Sequence, residues 1–320
     1  MKQHFLLLLV LAFLSCEKKR SINISSENLK KEFHVKIDTF KISPKGDLRE
    51  VALFRNNFYT IFESQRKNTS QSFIKMMAFN QKGKFIEDVF VPSEIQDMPH
   101  YQINIENDSL YVKESQFEEN NFVLGEYVAD LLKVKKKNFR IYQDSIYNIY
   151  KDCNGEFGGT IYFETRKSSK VYETYSSCPT VVNKIGETYF ITNAEDFGNI
   201  LEISNPSELD PSKLDFERRQ GSKFSNGYKI LLETNYETRI FTSFVSNNKL
   251  LTIYCDKKST YIGEIVNGKL KPLYDFGFRF YANFQQQIQN KQILSCYLIK
   301  SKSYAIMIIK ENEIKFHVIK

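Results

Sequence analysis

Apolar and polar residues alternate with a period of two along most of the chain from residue 33 onward. Residues 33–37, 85–89 and 160–164 show this alternation, in runs rich in Ile, Val, Tyr, Phe and Thr. Such runs, separated by short polar segments, are typical of β-strands. Asn267 and Gly268 lie between two of them and predict a type I′ hairpin, because both residues tolerate positive φ angles. The pattern therefore predicts an all-β protein.

The strands also recur at a longer interval. Polar turns that precede an apolar strand begin near residues 56, 108, 144, 183, 247 and 290, which are five steps of about 47 residues on average. At an offset of 43, the positions Leu250, Tyr254, Tyr261 and Ile265 align with Ile293, Tyr297, Tyr304 and Ile308. A four-stranded propeller blade takes roughly 40–50 residues, so this spacing predicts a β-propeller of six blades. A two-domain β-sandwich is the alternative. We expect the strand at 33–42 to pair with the terminal strand at 314–319 and close the ring.

The amino terminus has the pattern of a secretion signal. Lys2 is followed by an unbroken apolar run at 5–14, which is about half the ~20 residues that a membrane-spanning helix needs. Phe13-Leu14-Ser15-Cys16 resembles the lipobox of bacterial lipoproteins. That resemblance implies cleavage before Cys16 and acylation of this cysteine, which would anchor the chain to a membrane. An ordinary cleaved signal followed by an incidental cysteine is the alternative.

The sequence therefore divides into a signal peptide at 1–15, a polar lipid-anchored tether at 16–32 and a propeller domain at 33–320. The tether carries few apolar residues and is expected to be flexible. Surface-exported lipoproteins of Bacteroidota usually carry an acidic cluster after the cysteine, whereas Glu17 is followed here by Lys18, Lys19 and Arg20. This difference favours a position in the cell envelope that faces the periplasm.

The composition and net charge exclude some classes of protein and one class of partner. With 42% hydrophobic and 26% charged residues in 320, the chain is neither collagen-like nor disordered. The net charge of +7 is mild and spread along the chain, so a nucleic-acid partner is not predicted.

A central segment carries a second resemblance. Residues 152–163 (DCNGEFGGTIYF), 178–184 (CPTVVNK) and 189–193 (YFITN) are similar to a stretch of uncharacterised β-propeller-like lipoproteins of Bacteroidota. The similarity covers about residues 144–206. It implies a propeller fold and an envelope location, and it implies no particular chemistry.

Four cysteines remain once Cys16 is assigned to lipid. Cys153 and Cys178 flank one predicted hairpin, so in an oxidising compartment we expect them to form a disulfide, with two free thiols as the alternative. Closing a loop of about 25 residues contributes on the order of 3 kcal/mol. Cys255 and Cys296 lie in phase with apolar positions of the last two repeats and are expected to be buried.

The glycine-rich segment after Asp152 is the candidate ligand-binding loop. Asp152, Asn154 and Glu156 would supply polar contacts there, assisted by Arg166 in the neighbouring turn. The segment lacks the Gly-Lys-Ser/Thr ending of a phosphate-binding loop, so a tight turn before a strand is the alternative. The histidines lack paired ligand spacing and no Gly-x-Ser-x-Gly motif occurs, so neither a metal, a cofactor nor a catalytic residue is predicted.

These features predict a lipid-anchored envelope propeller that binds a partner protein or a glycan at one end of its axis. The alternative is a hydrolase or lyase that acts on envelope polysaccharide with a pair of loop carboxylates, which would have to lie about 5–10 Å apart. A purely structural envelope component is a third reading.

Overall fold

The computed structural model describes residues 33–320, apart from residues 43, 66–71, 99–100, 115–120, 135–138, 154–157, 195–197, 216–220 and 289. The predicted signal peptide, Cys16 and the predicted tether therefore lie outside the described residues, as do Asn154 and Glu156 of the candidate ligand loop. Within the described part, the strands form six small sheets.

The first three sheets follow one another along the chain. Blade 1 comprises β2 (Asp47–Phe54), β3 (Asn57–Gln65), β4 (Ser72–Asn80) and β5 (Phe85–Val89). Blade 2 comprises β6 (Tyr101–Glu106), β7 (Ser109–Glu114), β8 (Asn121–Leu124) and β9 (Leu131–Val134). Blade 3 comprises β10 (Tyr142–Gln143), β11 (Tyr147–Cys153), β12 (Gly159–Thr165), β13 (Val171–Ser176) and β17 (Asp210–Ser212).

The other three sheets complete the ring. Blade 4 comprises β14 (Pro179–Ile185), β15 (Thr188–Asn193), β16 (Asn199–Ile203) and β18 (Lys229–Glu233). Blade 5 comprises β19 (Arg239–Ser246), β20 (Lys249–Cys255), β21 (Thr260–Val266) and β22 (Lys269–Asp275). Blade 6 comprises β23 (Phe280–Ile288), β24 (Lys291–Leu298), β25 (Ser303–Lys310), β26 (Glu313–Ile319) and β1 (His34–Phe40).

Helix is confined to one short α-helix, α1 (Ser93–Gln96), and one 3-10 turn, Pro206–Glu208, within the described residues. None of the helices described there is long and apolar enough to cross a membrane. The arrangement is a six-bladed β-propeller, which confirms the predicted fold class and shows that the two-domain sandwich is wrong. The first strands of the blades line the axis, where β2 contacts β6 and β23, and β19 contacts β14 and β23.

The amino-terminal strand closes the ring, as the sequence predicts. β1 pairs in parallel with β26, from His34 opposite Glu313 to Phe40 opposite Ile319. The Lys315 ammonium lies 2.9 Å from the Asp38 carboxylate across this pairing. Because β26 is otherwise the outer strand of blade 6, its free backbone groups are satisfied by the start of the domain.

Apolar residues are buried mainly between blades. Separate buried clusters join blades 5 and 6, blades 1 and 2, blades 6 and 1, and blades 3 and 4, with a smaller one between blades 4 and 5. Phe58, Phe79 and Ile293, for example, meet in the cluster between blades 6 and 1. A single four-stranded sheet has two apolar faces and cannot bury both alone, so each blade depends on its neighbours.

Candidate functional site

The two ends of the axis carry different kinds of connection. Each blade is a meander of antiparallel strands. We call the end of the propeller where the first strand of each blade begins the entry end. The turns between first and second strands lie at the opposite end, which we call the exit end. The links between blades and the turns between second and third strands therefore lie at the entry end.

A cavity of about 200 Å³ lies on the axis and is lined mainly by first strands of several blades. Its polar lining consists of one carboxylate, two cationic side chains, one hydroxyl group and five carboxamides among the described residues: Glu50; Arg140 and Lys151; Thr180; and Gln102, Asn104, Gln285, Gln286 and Gln287. Ile103, Ile105, Ile141 and Phe284 add apolar surface. The cavity can thus both donate and accept hydrogen bonds beside apolar carbon, which suits a small polar ligand.

Irregularities in the first strands aim several side chains into this cavity. The pairing of β14 with β15 shifts by one residue at Thr180, and the pairing of β23 with β24 shifts in the same way at Gln285. A third shift, between Leu48 and Glu50, occurs in β2. A β-bulge inserts one residue and redirects its neighbours, so these bulges place Thr180, Gln285 and Glu50 on the lining.

Glu50 is the acidic group of the site. One of its carboxylate oxygens, Oε2, accepts the backbone N–H of Ile103 from blade 2 at 3.2 Å. Burial raises the pKa of Glu50 to about 8, even though the Ile103 N–H, the Gln285 side chain and the charge of Lys151 all favour the ionised form. Glu50 is therefore mostly protonated near neutral pH and can donate a hydrogen bond.

Two glutamines hold blade 6 against blade 1 beside Glu50. The Gln285 Oε1 atom accepts the Val51 N–H at 3.2 Å, and its Nε2 donates to the Arg49 carbonyl at 3.3 Å. The Gln286 Oε1 atom accepts the Leu53 N–H at 2.8 Å. These side-chain amides take the place of a neighbouring strand and fix the width of the cavity.

Two carboxamide atoms of the lining are left without a partner. Asn104 Nδ2 and Gln287 Oε1 are inaccessible to bulk water and make no hydrogen bond with any described residue. A buried polar atom left unpaired costs roughly 1–3 kcal/mol. The lining therefore has one unpaired donor and one unpaired acceptor. The hydroxyl groups of a ligand can accept from the donor and donate to the acceptor.

The cations of the lining differ in their surroundings. Arg140 Nε lies 2.8 Å from Glu106 Oε1, and a terminal nitrogen of Arg140 donates to Gln143 Oε1 at 2.7 Å. The positive charge of Lys151 reaches Glu50. The two cations are therefore placed differently: Arg140 is ion-paired with Glu106, whereas the charge of Lys151 acts on Glu50.

The predicted ligand loop is only partly described, and the structure does not bring its described members together. Asp152 lies at the entry end, where its Oδ2 accepts the hydroxyl of the buried Tyr162 at 2.7 Å. Arg166 follows β12 at the exit end and donates to the Asp144 carbonyl at 2.9 Å. β12 is seven residues long. At a rise of about 3.3 Å per residue, its two ends lie roughly 20 Å apart.

The structure joins Cys153 and Cys178 in a disulfide with their Cα atoms 4.9 Å apart. Cys153 ends β11 of blade 3, whereas Cys178 immediately precedes β14 of blade 4 and lines the cavity. The bridge therefore links two blades at the entry end, beside the candidate site. Cys255 and Cys296 are free and buried, which confirms their prediction as small apolar residues.

Sequence reasoning missed Glu50, Asn104, Gln285 and Gln287. The one local signal is the run of three glutamines, 285–287, which interrupts the alternation of a strand. The described residues contain no group of three or more His, Cys, Asp or Glu side chains placed to hold a metal ion.

Comparison with known proteins finds no family and several distantly similar solved structures. No family model matches the sequence, and no curated protein matches it. Among solved structures, YjhT is 10% identical, with 87% of this chain and 86% of that chain covered and a TM-score of 0.34. A post-proline cleaving enzyme from Rickettsia typhi is 9% identical at a TM-score of 0.34, over 84% of this chain and 44% of that one. This chain thus spans less than half of that peptidase. Fructan 1-exohydrolase IIa from Cichorium intybus is 7% identical at a TM-score of 0.33, over 88% and 61% of the two chains.

Proposed function

We propose that this chain is a lipid-anchored, periplasm-facing propeller that binds a glycan in its axial cavity. The observation that carries the proposal is the carboxamide-rich lining, with the unpartnered Asn104 Nδ2 and Gln287 Oε1 atoms beside the apolar side chains of Ile103 and Phe284. Sugars present hydroxyl groups that donate and accept, together with apolar C–H faces. The lining offers complementary groups for both.

The size of the cavity limits the occupant. A volume of about 200 Å³ is below the roughly 300–1,000 Å³ of pockets for drug-sized ligands. One sugar ring, or a terminal residue of a longer glycan, fits this volume better than a folded partner. A partner protein could reach only the surrounding rim at the entry end.

The membrane half of the proposal rests on the sequence alone. The apolar run at 5–14 and the lipobox-like sequence that ends at Cys16 favour export and acylation. Replacing Cys16→Ser should abolish incorporation of labelled fatty acid and move the protein from the membrane fraction to the soluble periplasmic fraction. Retention of the label in this variant would contradict the anchor.

Glycan binding can be tested on the full-length protein purified from membranes in detergent. Fluorescent fragments of envelope polysaccharides should bind saturably, and Asn104→Ala or Gln287→Ala should weaken binding roughly tenfold. Gln81→Ala is the matched control, because Gln81 is an exposed glutamine in a turn and contacts only a backbone carbonyl. If no glycan binds and a protein co-purifies reproducibly instead, the partner is a protein and the proposal is wrong.

A polysaccharide hydrolase or lyase is the second candidate, favoured by Glu50. A carboxyl group with a pKa of about 8 in a cavity has the protonation state of a general acid. A two-carboxylate mechanism needs a second group about 5–10 Å away, and Glu50 is the single carboxylate in the described lining. Release of reducing ends by the wild type, abolished by Glu50→Gln, would favour this candidate. Binding without release would favour the first.

A further inference from the structure

Two arginines at the entry end share one aromatic ring. Arg239 is the first residue of β19, and Arg279 immediately precedes β23 in the neighbouring blade. Their guanidinium carbons lie 5.9 Å and 5.3 Å from the centroid of the Tyr281 ring. A terminal nitrogen of Arg279 also donates to the Tyr281 hydroxyl at 3.0 Å. The two cations therefore converge on one point between blades 5 and 6.

The surroundings of Cys255 also indicate that the charges of Arg239 and Arg279 lie close together. Burial raises the pKa of the Cys255 thiol. Four influences oppose the rise: a hydrogen bond from the Arg279 side chain, the positive charges of Arg279 and Arg239, and a hydrogen bond from the Arg239 backbone. Cys255 lies opposite Arg239 in the pairing of β19 with β20. The thiol therefore lies next to both guanidinium groups.

Neither guanidinium forms an ion pair with a carboxylate among the described residues; the nearby charge of Arg279 does help to lower the pKa of Asp256. By contrast, Arg49, Arg55 and Arg140 each form an ion pair with an Asp or Glu. The next acidic residue after Cys255 is Asp256, and its Oδ1 accepts the N–H groups of Lys258 and Ser259 in its own turn. Two half-buried cations close together repel each other, and an anion placed between them would relieve this repulsion.

The cluster is also open to a ligand. The Tyr281 side chain remains 38% exposed, although its ring packs edge-on against the buried Phe241. The Nε atoms of Arg239 and Arg279 are buried and unpaired. The guanidinium groups are held by the ring, so their terminal N–H groups are pre-positioned, and guanidinium binds carboxylate, phosphate and sulfate in a bidentate manner.

We propose that Arg239, Arg279 and Tyr281 form an oxyanion-binding site at the entry end, distinct from the axial cavity. The ligand is a carboxylate, phosphate or sulfate group. It can come from an acidic sugar or from a phosphate ester such as a lipid headgroup, and both sources share the chemistry that two guanidinium groups recognise.

The test uses the full-length protein in detergent and a buffer free of phosphate and sulfate. Sodium sulfate, glucuronate and glycerol 3-phosphate are titrated by calorimetry, which gives the affinity of every variant, and in the wild type the Nε–H signals of arginine are also followed by NMR. We expect saturable shifts of two arginine signals, and binding roughly tenfold or more weaker in Arg239→Gln/Arg279→Gln. Arg55→Gln is the matched control, because Arg55 lies at the exit end with Asp108 as its partner.

The Arg239→Lys/Arg279→Lys variant keeps both charges and should retain part of the affinity for each anion. It separates loss of the site from loss of folding. Preference for glucuronate would identify an acidic sugar as the source, and preference for glycerol 3-phosphate a phosphate ester. Absence of saturable shifts in the wild type, or equal weakening by Arg55→Gln, would overturn the proposal. The arginine signals report this site alone, so its outcome is distinguishable from that of glycan binding in the axial cavity.

Discussion

Glu50 in blade 1 and Ile103 in the adjacent blade 2 are joined by a hydrogen bond of 3.2 Å from the Ile103 N–H to the Glu50 carboxyl group. The bond holds a titratable group at the boundary of two first strands. The groups that face Glu50 are Gln285 from β23, Lys151 from β11 and Tyr101 from β6. Its protonation state is therefore linked both to the cavity and to the contact between blades.

Replacing Glu50→Gln should flatten the dependence of stability on pH. The folded-state pKa of Glu50, raised by burial to about 8, exceeds its ordinary value of 4.5. Its contribution to stability is therefore full below about pH 4.5 and is lost as pH rises toward 8, by up to a few kcal/mol. The wild-type Tm should fall over this range, and Glu50→Gln should fall less.

The measurement is the Tm of both proteins at intervals from pH 4.5 to 8.5. Glu94→Gln is the control, because Glu94 is an exposed carboxylate in α1 and does not line the cavity. Parallel curves for the wild type and Glu50→Gln would contradict a raised pKa at this position.

The fold could be predicted because its signals are periodic. Five of the six predicted starts, near residues 56, 108, 144, 247 and 290, fall at the turn between the first and second strands of a blade, and the sixth, near 183, falls within β14 just before that turn. The offset of 43 also has a structural meaning: Tyr254 pairs with Tyr261 across β20 and β21, and Tyr297 pairs with Tyr304 across β24 and β25. Repeats that are equivalent in sequence are thus equivalent in register.

The site could not be predicted because it depends on departures from that period. Thr180 and Gln285 reach the cavity through bulges, and no spacing rule marks a bulge in a single sequence. The sequence places Arg166 in the turn next to the candidate loop, but a sequence does not show at which end of a blade a turn lies. The seven residues of β12 keep Arg166 and Asp152 at opposite ends of the blade.

Removing the bridge between blades 3 and 4 should destabilise the domain. The Cys153→Ser/Cys178→Ser variant loses a link that closes a sequence separation of 25 residues, which is on the order of 3 kcal/mol. The Tm should fall by several degrees, measured under non-reducing conditions. β13 also pairs with β17, a strand from the segment that connects two strands of blade 4, so the two blades should stay together.

Mass analysis of non-reduced peptides provides the direct check on the bridge. A linked peptide that contains residues 153 and 178 is expected from the protein isolated from the envelope. Free thiols at both positions, with a Tm unchanged by the double substitution, would contradict it.

Replacing Gln286→Leu should loosen the contact between blades 6 and 1. The Leu53 N–H would lose its acceptor at 2.8 Å and remain partly buried without a partner, which costs roughly 1–3 kcal/mol. Denaturant unfolding should show this loss, whereas Gln81→Leu, at an exposed turn, should change the free energy of unfolding by less than about 0.5 kcal/mol. Equal effects of the two substitutions would show that Gln286 does not hold the blades together.

His317 makes ring closure sensitive to acid. It lies in β26 opposite Asp38 of β1, and its ring packs 4.3 Å from that of Phe40, with Nδ1 buried and unpaired. Burial lowers the pKa of His317 to about 4, and the charge of Lys315 adds to this effect while Asp38 opposes it. A depressed folded-state pKa means that stability is full above the ordinary value of 6.5 and is lost as pH falls toward 4.

We therefore expect the wild type to lose on the order of 1–2 kcal/mol between pH 6.5 and pH 4, after allowance for solvent screening. His317→Phe, which cannot be protonated and fits beside Phe40, should lose less over the same range. Because β1 is the strand that closes the ring, hydrogen exchange of β1 and β26 amides should accelerate in acid before that of the other blades. His34→Phe is the control, since His34 is exposed at the start of β1. Acid sensitivity that persists unchanged in His317→Phe, or exchange that rises equally in all blades, would place the acid-labile group elsewhere.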